Sequence, residues 1–287
     1  MPIYSKLFDF LEIGDKVDHV IMGVLNLSPE SFYKGSVYTN LKRLEKTAKH
    51  MIENGAKILD LGARSTAPWS QKISVEEELK RITPALSHLC SRIPGECAIS
   101  IDTQYKKIAQ KAYEITQKYN KHMIVNDVSC LKTDPGLIDF VVEYDIPLII
   151  MASEKVPGDL CKMEEIINVF QNTIQNLRKK GYNLDNLILD PGIGHWVEEK
   201  TYKYDLGLIK DLNRLQTLEI PILVAISRKS FIGETLNKPE PENRLNGTLS
   251  ATAIAVFNGA HIVRTHDVTN QLLEITKMAK EIRERGK

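Results

Sequence analysis

Acidic and amide side chains recur in this chain directly after short apolar segments. Asp102, Asn126 and Asp190 are the clearest cases, and each follows a run of mainly aliphatic residues. An ionised carboxylate only accepts hydrogen bonds, whereas an Asn side chain both donates and accepts them. Brought together, these groups would suit a flat ring that carries several N–H donors. Lys229 could balance the carboxylates and reach a ring carbonyl.

A second set of residues offers groups for binding an anion. Arg264 and His266 are two potential cations, and Asn26 adds an amide. The planar fork of an Arg guanidinium matches the geometry of phosphate. Ser230 opens a predicted helix, so its hydroxyl and the N–H groups of the first turn could also hold an anion. A pterin ring with a phosphorylated tail would satisfy both sets.

Eight short apolar runs precede these polar residues, and amphipathic stretches with helical spacing separate the runs. In Leu41–Asn54, for example, apolar residues recur mainly at intervals of three and four. This alternation predicts a parallel sheet whose strands are buried on both faces. The predicted strands are His19–Leu25, Lys57–Leu61, Ala98–Ile101, Met123–Val125, Pro147–Met151, Leu187–Leu189, Pro221–Ile226 and His261–Val263. Further helices are predicted at Thr103–Tyr119, Met163–Lys180 and Val268–Arg285.

Eight such units predict an α/β protein, a single-domain (β/α)8 TIM barrel, a fold that typically uses ~250 residues. An open doubly wound sheet is the alternative, but the GxGxxG fingerprint expected after its first strand is missing. We assign residues 18–287 to the barrel and residues 1–17 to an N-terminal arm. In a TIM barrel the strand ends that carry the polar residues converge on one mouth. Each polar residue could instead cap a helix or turn, and we favour that interpretation for Asp127 and Asp267.

Composition narrows the range of partners. Of the 287 residues 43% are hydrophobic, and 38 Lys and Arg nearly balance 37 Asp and Glu, giving a net charge of +1. This gives no broad electrostatic reason to bind nucleic acid or a membrane. The four cysteines form no CxxC pair, and the N-terminus lacks the layout of a secretory signal. We therefore expect a cytoplasmic protein with free thiols that acts on small molecules.

Several short motifs, each at a strand end, resemble the signatures of dihydropteroate synthases. They occur in the family's order and span residues 20–267, and that family is a TIM barrel. The matching strings are Met22-Gly23-Val24-Leu25-Asn26-Leu27-Ser28-Pro29-Glu30-Ser31-Phe32, Asp60-Leu61-Gly62 with Ser65-Thr66, Ile101-Asp102-Thr103, Val125-Asn126-Asp127, Leu189-Asp190-Pro191-Gly192-Ile193-Gly194, Ser227-Arg228-Lys229-Ser230-Phe231-Ile232-Gly233 and Arg264-Thr265-His266-Asp267.

The resemblance implies a transferase that joins 6-hydroxymethyl-7,8-dihydropterin diphosphate to an aryl amine and releases diphosphate. It implies that diphosphate leaves first and that the amine then attacks a pterin cation. Mg²⁺ is the implied cofactor, with Asn26 as its protein contact, and the implied assembly is a homodimer through the last helices. By motif, the pterin-binding residues are Asp102, Asn126, Asp190 and Lys229, with Asp102 and Lys229 also catalytic; the diphosphate-binding residues are Asn26, Thr66, Arg264 and His266; Thr66 and Ser230 line the acceptor region.

Departures from the family pattern fall in loops expected around the acceptor. Ala67 stands where the family usually has Arg, and Arg64 stands where an acidic residue is usual. Other departures are Ala152 after Met151 and the run Gly194-His195-Trp196-Val197. They predict an acceptor other than plain 4-aminobenzoate, such as a ribosylated aminobenzene phosphate of methanopterin-type biosynthesis. Arg64, His195 or Lys200 could meet its phosphate, unless these differences are neutral.

Two other functions remain compatible with the pterin-binding residues. A pterin-dependent methyltransferase would share them but would not need the diphosphate set formed by Asn26, Arg264 and His266. A non-catalytic pterin-binding paralogue would keep the fold and lose turnover, since fold alone does not establish activity.

Overall fold

The first described residues form an antiparallel hairpin. The structure is a computed structural model and describes residues 2–28, 40–64, 72–194, 197 and 199–285. Strand β1 (Tyr4–Phe8) pairs with β2 (Leu11–Gly14) in this hairpin. Alternate side chains of the hairpin are buried, among them Leu7, Leu11 and Ile13. This hairpin lies within residues 1–17, which were assigned to an N-terminal arm.

Eight parallel strands form the centre of the molecule. Each of the eight strands predicted from the sequence is present, with bounds that differ by a few residues. They are β3 (Val20–Asn26), β4 (Ala56–Gly62), β5 (Ala98–Asp102), β6 (Met123–Asp127), β7 (Leu148–Met151), β8 (Leu187–Asp190), β9 (Leu223–Val224) and β10 (Ile262–Thr265).

The strands follow one another around a barrel in the order β8-β7-β6-β5-β4-β3-β10-β9, and every neighbouring pair is parallel. Closure comes beside β9, where Ile222 bridges to Leu189 and the Leu189 N–H donates to the Pro221 carbonyl over 2.9 Å. β9 is shorter than the predicted run 221–226, because only its middle residues join the ladder with β10. The prediction of a (β/α)8 TIM barrel is confirmed.

Helices pack around the strands, and two predicted features differ from the structure. The segment 103–119 becomes helical only at Lys106, because Thr103 instead donates its hydroxyl to Glu78 over 2.7 Å. Between β9 and β10 there are two helices rather than one, since Asn237 takes a left-handed conformation with φ +53° and ends the first. The described helices are α1 (Leu41–Glu53), α2 (Val75–Cys90), α3 (Lys106–Lys118), α4 (Gly136–Glu143), α5 (Met163–Lys179), α6 (Tyr202–Lys210), α7 (Ser230–Leu236), α8 (Leu245–Phe257) and α9 (Asn270–Arg285).

The hairpin closes the end of the barrel at which the strands begin. Its side chains Leu7, Leu11 and Ile13 form one apolar cluster with residues that lie in the eight strands or directly after them. Those strand residues are Val20, Met22, Ile58, Ala98, Ile124, Ile149, Ile188, Leu223, Ala225 and Ile262. Because this end is filled with apolar side chains, a ligand can enter only at the opposite mouth.

Charged groups fasten the hairpin to the last helix. Asp15 accepts a hydrogen bond from the Ile3 N–H over 2.8 Å, and its other oxygen lies 3.5 Å from Arg283 and 3.4 Å from His261. Lys280 donates to the Val17 carbonyl over 2.7 Å. The segment 3–17 and the last helix are thereby joined at the closed end of the barrel. Among the described residues, no helix is long and apolar enough to span a membrane.

Candidate active site

Alternation along the strands aims one set of polar side chains into the open mouth. In β5, Ala98 belongs to the interior cluster, whereas Ile99 and Ile101 pack against the helices. With a period of two, Ser100 and Asp102 must also face the interior. The same count, started from the interior residue of each strand, places these polar residues inside the mouth: Asn26, Asp60, Asn126, Asp190 and Arg264.

Arg264 lies between two carboxylates at the centre of the mouth. Its Nε donates to Asp60 Oδ2 over 2.6 Å, and its Nη2 donates to Asp102 Oδ2 over 3.1 Å. Asp60 is completely buried. From the sequence, Asp60 is predicted only as part of a motif at a strand end, without a role of its own. Counting by twos from the interior residue Ile58 would have revealed it.

The carboxyl group of Asp102 is tuned by its surroundings. Burial and the negative charge of Asp60 raise its pKa to about 7, although Arg264 opposes the shift. Asp102 sits beside Asn126 in the register of β5 and β6. The Asn126 amide nitrogen lies 3.4 Å from both carboxylate oxygens of Asp60. Asp60, Asp102, Asn126 and Arg264 therefore form one connected polar network.

Asp190 and Lys229 form the opposite side of the mouth. Asp190 Oδ1 accepts the Gly192 N–H over 2.8 Å, and the Lys229 ammonium donates to the Ile193 carbonyl. Burial lowers the pKa of Lys229 to about 8, and the negative charge of Asp190 opposes this shift. Burial also raises the pKa of Asp190, against the effect of Lys229. The two groups thus influence each other's charge, as expected of neighbours in one binding site.

Of the residues predicted to bind diphosphate, the structure places Asn26 and Arg264 in the mouth. Asn26 ends β3 beside Gly62 and Arg264 lies in the mouth, but Thr66 lies outside the described residues. His266 Nδ1 lies 3.1 Å from the Ser227 hydroxyl. Burial and the charge of Arg264 lower the pKa of His266 to about 3. The imidazole is therefore neutral at physiological pH in this structure, and the role of His266 in diphosphate binding stays a prediction.

Two of the three residues proposed to meet an acceptor phosphate, Arg64 and Lys200, have protein partners. Arg64 donates through Nε to the buried carboxylate of Glu78 over 2.7 Å, and its guanidinium lies over the ring of Tyr105 at 4.9 Å. Lys200 is fully buried, so the expectation that it meets a phosphate is wrong. His195 lies outside the described residues, and Ser230 begins α7 in a partly buried position.

Two acidic residues that we interpreted as structural do have structural partners. Asp127 accepts hydrogen bonds from the Ser129 N–H over 3.0 Å and from its hydroxyl over 2.7 Å, which confirms its role in a turn. Asp267 does not cap a helix but pairs with Arg228 through two hydrogen bonds of 2.7 and 2.8 Å.

Comparison with known proteins agrees with the composition of this mouth. The profile of the pterin binding enzyme family matches residues 22–266. Dihydropteroate synthase of Clostridium beijerinckii is 35% identical over 281 residues, which cover 98% of this chain and 97% of that protein. The Bacillus subtilis dihydropteroate synthase is 32% identical, over 93% of this chain and 90% of that protein.

A solved structure of a similar protein extends the likeness to three dimensions. The dihydropteroate synthase of Coxiella burnetii, in complex with pteroic acid, superposes with a TM-score of 0.84 at 31% identity, covering 99% of both chains. The chain described here therefore belongs to the pterin binding enzyme family and, within it, to the dihydropteroate synthases.

Proposed function

We propose that this transferase condenses 6-hydroxymethyl-7,8-dihydropterin diphosphate with 4-aminobenzoate and releases diphosphate, as a step of folate biosynthesis. The observation that carries the proposal is the convergence of Asp102, Asn126, Asp190 and Lys229 on one mouth, with the partly buried guanidinium of Arg264 between two of the strands. Carboxylate and amide acceptors there match the N–H donors of a pterin ring.

The proposed reaction begins with loss of diphosphate, whose bridging oxygen takes the electrons of the C–O bond to the pterin methylene. The resulting cation is delocalised over the ring, and the carboxylate of Asp102 stabilises it electrostatically. Asp190 and Lys229 fix the ring, which aligns the methylene with the incoming amine. The lone pair of the amine nitrogen then forms the C–N bond to the methylene, and the nitrogen loses one proton to solvent. Arg264 turns part of its hydrogen bonding from Asp60 and Asp102 to the departing diphosphate, with His266 as a neutral donor.

Mg²⁺ is proposed as the cofactor. The donor chemistry at Asn26 fits, because an amide oxygen is a hard ligand at the diphosphate side of the mouth. Among the described residues, no three His, Cys, Asp or Glu side chains are grouped to hold a metal. This agrees with an ion that takes few protein ligands and is held mainly by phosphate oxygens and water. When bound, Mg²⁺ would offset the charge of the leaving diphosphate.

We favour 4-aminobenzoate over a ribosylated aminobenzene phosphate as the acceptor. The phosphate of the larger amine needs a cation, but Arg64 pairs with Glu78 and Lys200 is buried. Thr66 and Ser230 remain the proposed contacts of the smaller amine, with Arg64 at the edge of that region.

The assay for this proposal measures diphosphate release and pteroate formation. With pterin diphosphate and Mg²⁺, we expect turnover of 4-aminobenzoate to exceed that of the ribosylated phosphate, and chelation of Mg²⁺ to slow the reaction ~100-fold or more. Release of diphosphate without either amine being joined, or methyl transfer to a corrinoid protein instead, would contradict the proposed function.

A homodimer through α8 and α9 is also proposed. These helices pack against each other and expose the apolar side chains Ile254, Phe257, Met278 and Ile282. The first two lie three residues apart and the last two lie four apart, so each pair occupies one face of its helix. Exposed apolar side chains on two neighbouring helices suit a contact with another chain, and a second copy of this chain would cover them.

Charge placed on this surface should separate the subunits. We expect the double variant Met278→Glu with Ile282→Glu to be a monomer in light scattering coupled to gel filtration. Burying each new carboxylate in the interface without a partner would cost at least ~2 kcal/mol. Val156→Glu, at an exposed apolar residue elsewhere, should keep the wild-type mass. A monomeric wild-type chain would contradict the proposal.

Cytoplasmic localisation is proposed from the thiols. All four cysteines are free, and three of them, Cys90, Cys97 and Cys130, are buried. Free thiols are typical of proteins that work in a reducing compartment.

A further inference from the structure

The segment Gly192–Ile193–Gly194, which follows β8, is held at each residue by a charged side chain. Asp190 accepts the Gly192 N–H over 2.8 Å, and Lys229 donates to the Ile193 carbonyl. Two further residues, Lys200 and Asp205, also form hydrogen bonds with the backbone of this segment. Neither of them has a place in the reaction described above.

Lys200 and Asp205 form a fully buried ion pair. Lys200 Nζ donates to the Gly192 carbonyl over 2.7 Å and to the Gly158 carbonyl over 3.3 Å, and it lies 3.8 Å from Asp205 Oδ1. The same Asp205 oxygen accepts the Gly194 N–H over 2.7 Å. Both side chains are completely buried. Burying two charges costs several kcal/mol per ion, so such a pair is a poor general stabiliser and calls for another explanation.

The held segment touches Lys229 directly. Gly194 has φ +138°, and a Cβ built there would lie 2.8 Å from Lys229 Nζ. The carbonyl of the preceding Ile193 is the acceptor for the same ammonium. Because the backbone and the lysine are in van der Waals contact, any displacement of this segment would move Lys229.

We propose that Lys200 and Asp205 are positioning residues that fix the Gly192–Gly194 backbone, and through it the Lys229 ammonium and the Asp190 carboxylate, in the arrangement that binds the pterin ring. The inference rests on the pterin-binding role proposed above for Asp190 and Lys229. It extends the functional site to a pair that has no direct access to the ring.

The pair also acts on Lys229 through its charges. Burial is the largest effect and lowers the pKa of Lys229; the carboxylate of Asp205 raises it and the ammonium of Lys200 lowers it. Other charges that face Lys229 are those of Asp190, which raises the pKa, and Arg264, which lowers it. Asp205→Asn should therefore lower the pKa of Lys229 and Lys200→Met should raise it. General damage to the fold would instead weaken binding at every pH and would give no such opposite shifts.

The test measures binding of 6-hydroxymethylpterin, which lacks the leaving group, by titration calorimetry between about pH 6.5 and about pH 9.5. Since the ring needs the ammonium form of Lys229, wild-type binding should weaken as pH rises through about 8. We expect Asp205→Asn and Lys200→Met each to bind ~10-fold or more weakly. The pH at which binding is half lost should fall in the first variant and rise in the second.

Controls separate this inference from folding and from the proposed function. Lys280→Met removes another buried lysine that donates to a backbone carbonyl, at the closed end of the barrel, and should bind the ring as the wild type does. If a single variant fails to fold, the double variant Lys200→Met with Asp205→Leu removes both charges together and should still bind ~10-fold or more weakly.

Wild-type affinity in either folded single variant, or an unshifted pH midpoint in both, would overturn the positioning role; so would wild-type affinity in the double variant. Failure of the wild type itself to bind the pterin would instead overturn the proposed function.

Discussion

Replacing Asp190 with Ala should abolish pterin binding while the barrel stays folded. The Asp190 side chain faces the mouth, is 6% exposed, and already accepts the Gly192 N–H, so its position is fixed before a ring arrives. Without the carboxylate, the N–H donors of the ring would be buried without acceptors, and the loss of two charged hydrogen bonds costs about 3 kcal/mol or more. Calorimetric titration with 6-hydroxymethylpterin should show at least a ~100-fold rise in Kd.

A matched carboxylate far from the mouth serves as the control. Asp145 precedes β7 and accepts a hydrogen bond from the Asn186 side chain over 2.9 Å, at the end of the barrel where strands begin. Asp145→Ala should leave the affinity for the ring unchanged. A normal Kd for the ring in Asp190→Ala would show that Asp190 does not hold the pterin.

The main elements of the fold could be predicted because each is encoded locally. A run such as Leu187–Leu189 is apolar throughout, is too short for a helix, and ends in a polar motif, and eight such runs imply a closed parallel barrel. The predicted bounds of an element differ from the observed ones where a side chain forms a bond that competes with the regular backbone pattern. Thr103 is such a case, because its bond to Glu78 delays the start of α3.

Partners across the barrel could not be predicted, because they are set by geometry between distant residues. Arg264 meets Asp60 across 204 positions of sequence, and nothing local distinguishes that pairing from a free guanidinium. Burial is equally non-local. The residues next to Lys200 in the sequence are polar, as in an exposed loop. Its ammonium is nevertheless buried against two backbone carbonyls and a carboxylate.

The charge states of the ionisable side chains also depend on contacts between residues that are distant in the sequence. His266 is a potential cation by residue type, but burial and the charge of Arg264 lower its pKa and keep it neutral. The pKa of Asp102 likewise depends on Asp60, a residue that faces it from the adjacent strand. The sequence therefore predicts which side chains line the mouth, whereas their protonation depends on how closely the barrel brings them together.

Asp60→Asn should consequently alter catalysis through Arg264 and Asp102, two residues that are distant from Asp60 in the sequence. The variant keeps the shape of the side chain but removes the charge that pairs with Arg264 at 2.5 Å. Leaving a partly buried guanidinium without one of its two carboxylate partners costs ~2 kcal/mol, so we expect a lower melting temperature and a kcat/KM reduced ~100-fold. Asp145→Asn again provides the control for loss of a carboxylate outside the mouth.

The pH profile of Asp60→Asn distinguishes an electrostatic role from simple damage. Asp60 raises the pKa of Asp102, which burial and this charge bring to about 7 in the wild type. Ionised Asp102 stabilises the pterin cation, so wild-type activity should decline as pH falls through about 7. Removing the Asp60 charge lowers that pKa, and the acid limb of kcat/KM should therefore move to lower pH. An acid limb that stays in place, or moves upward, would mean that Asp102 and Asp60 are not coupled in the way the structure indicates. Because a damaged active site would lose activity at every pH alike, the direction of this shift is the more decisive measurement.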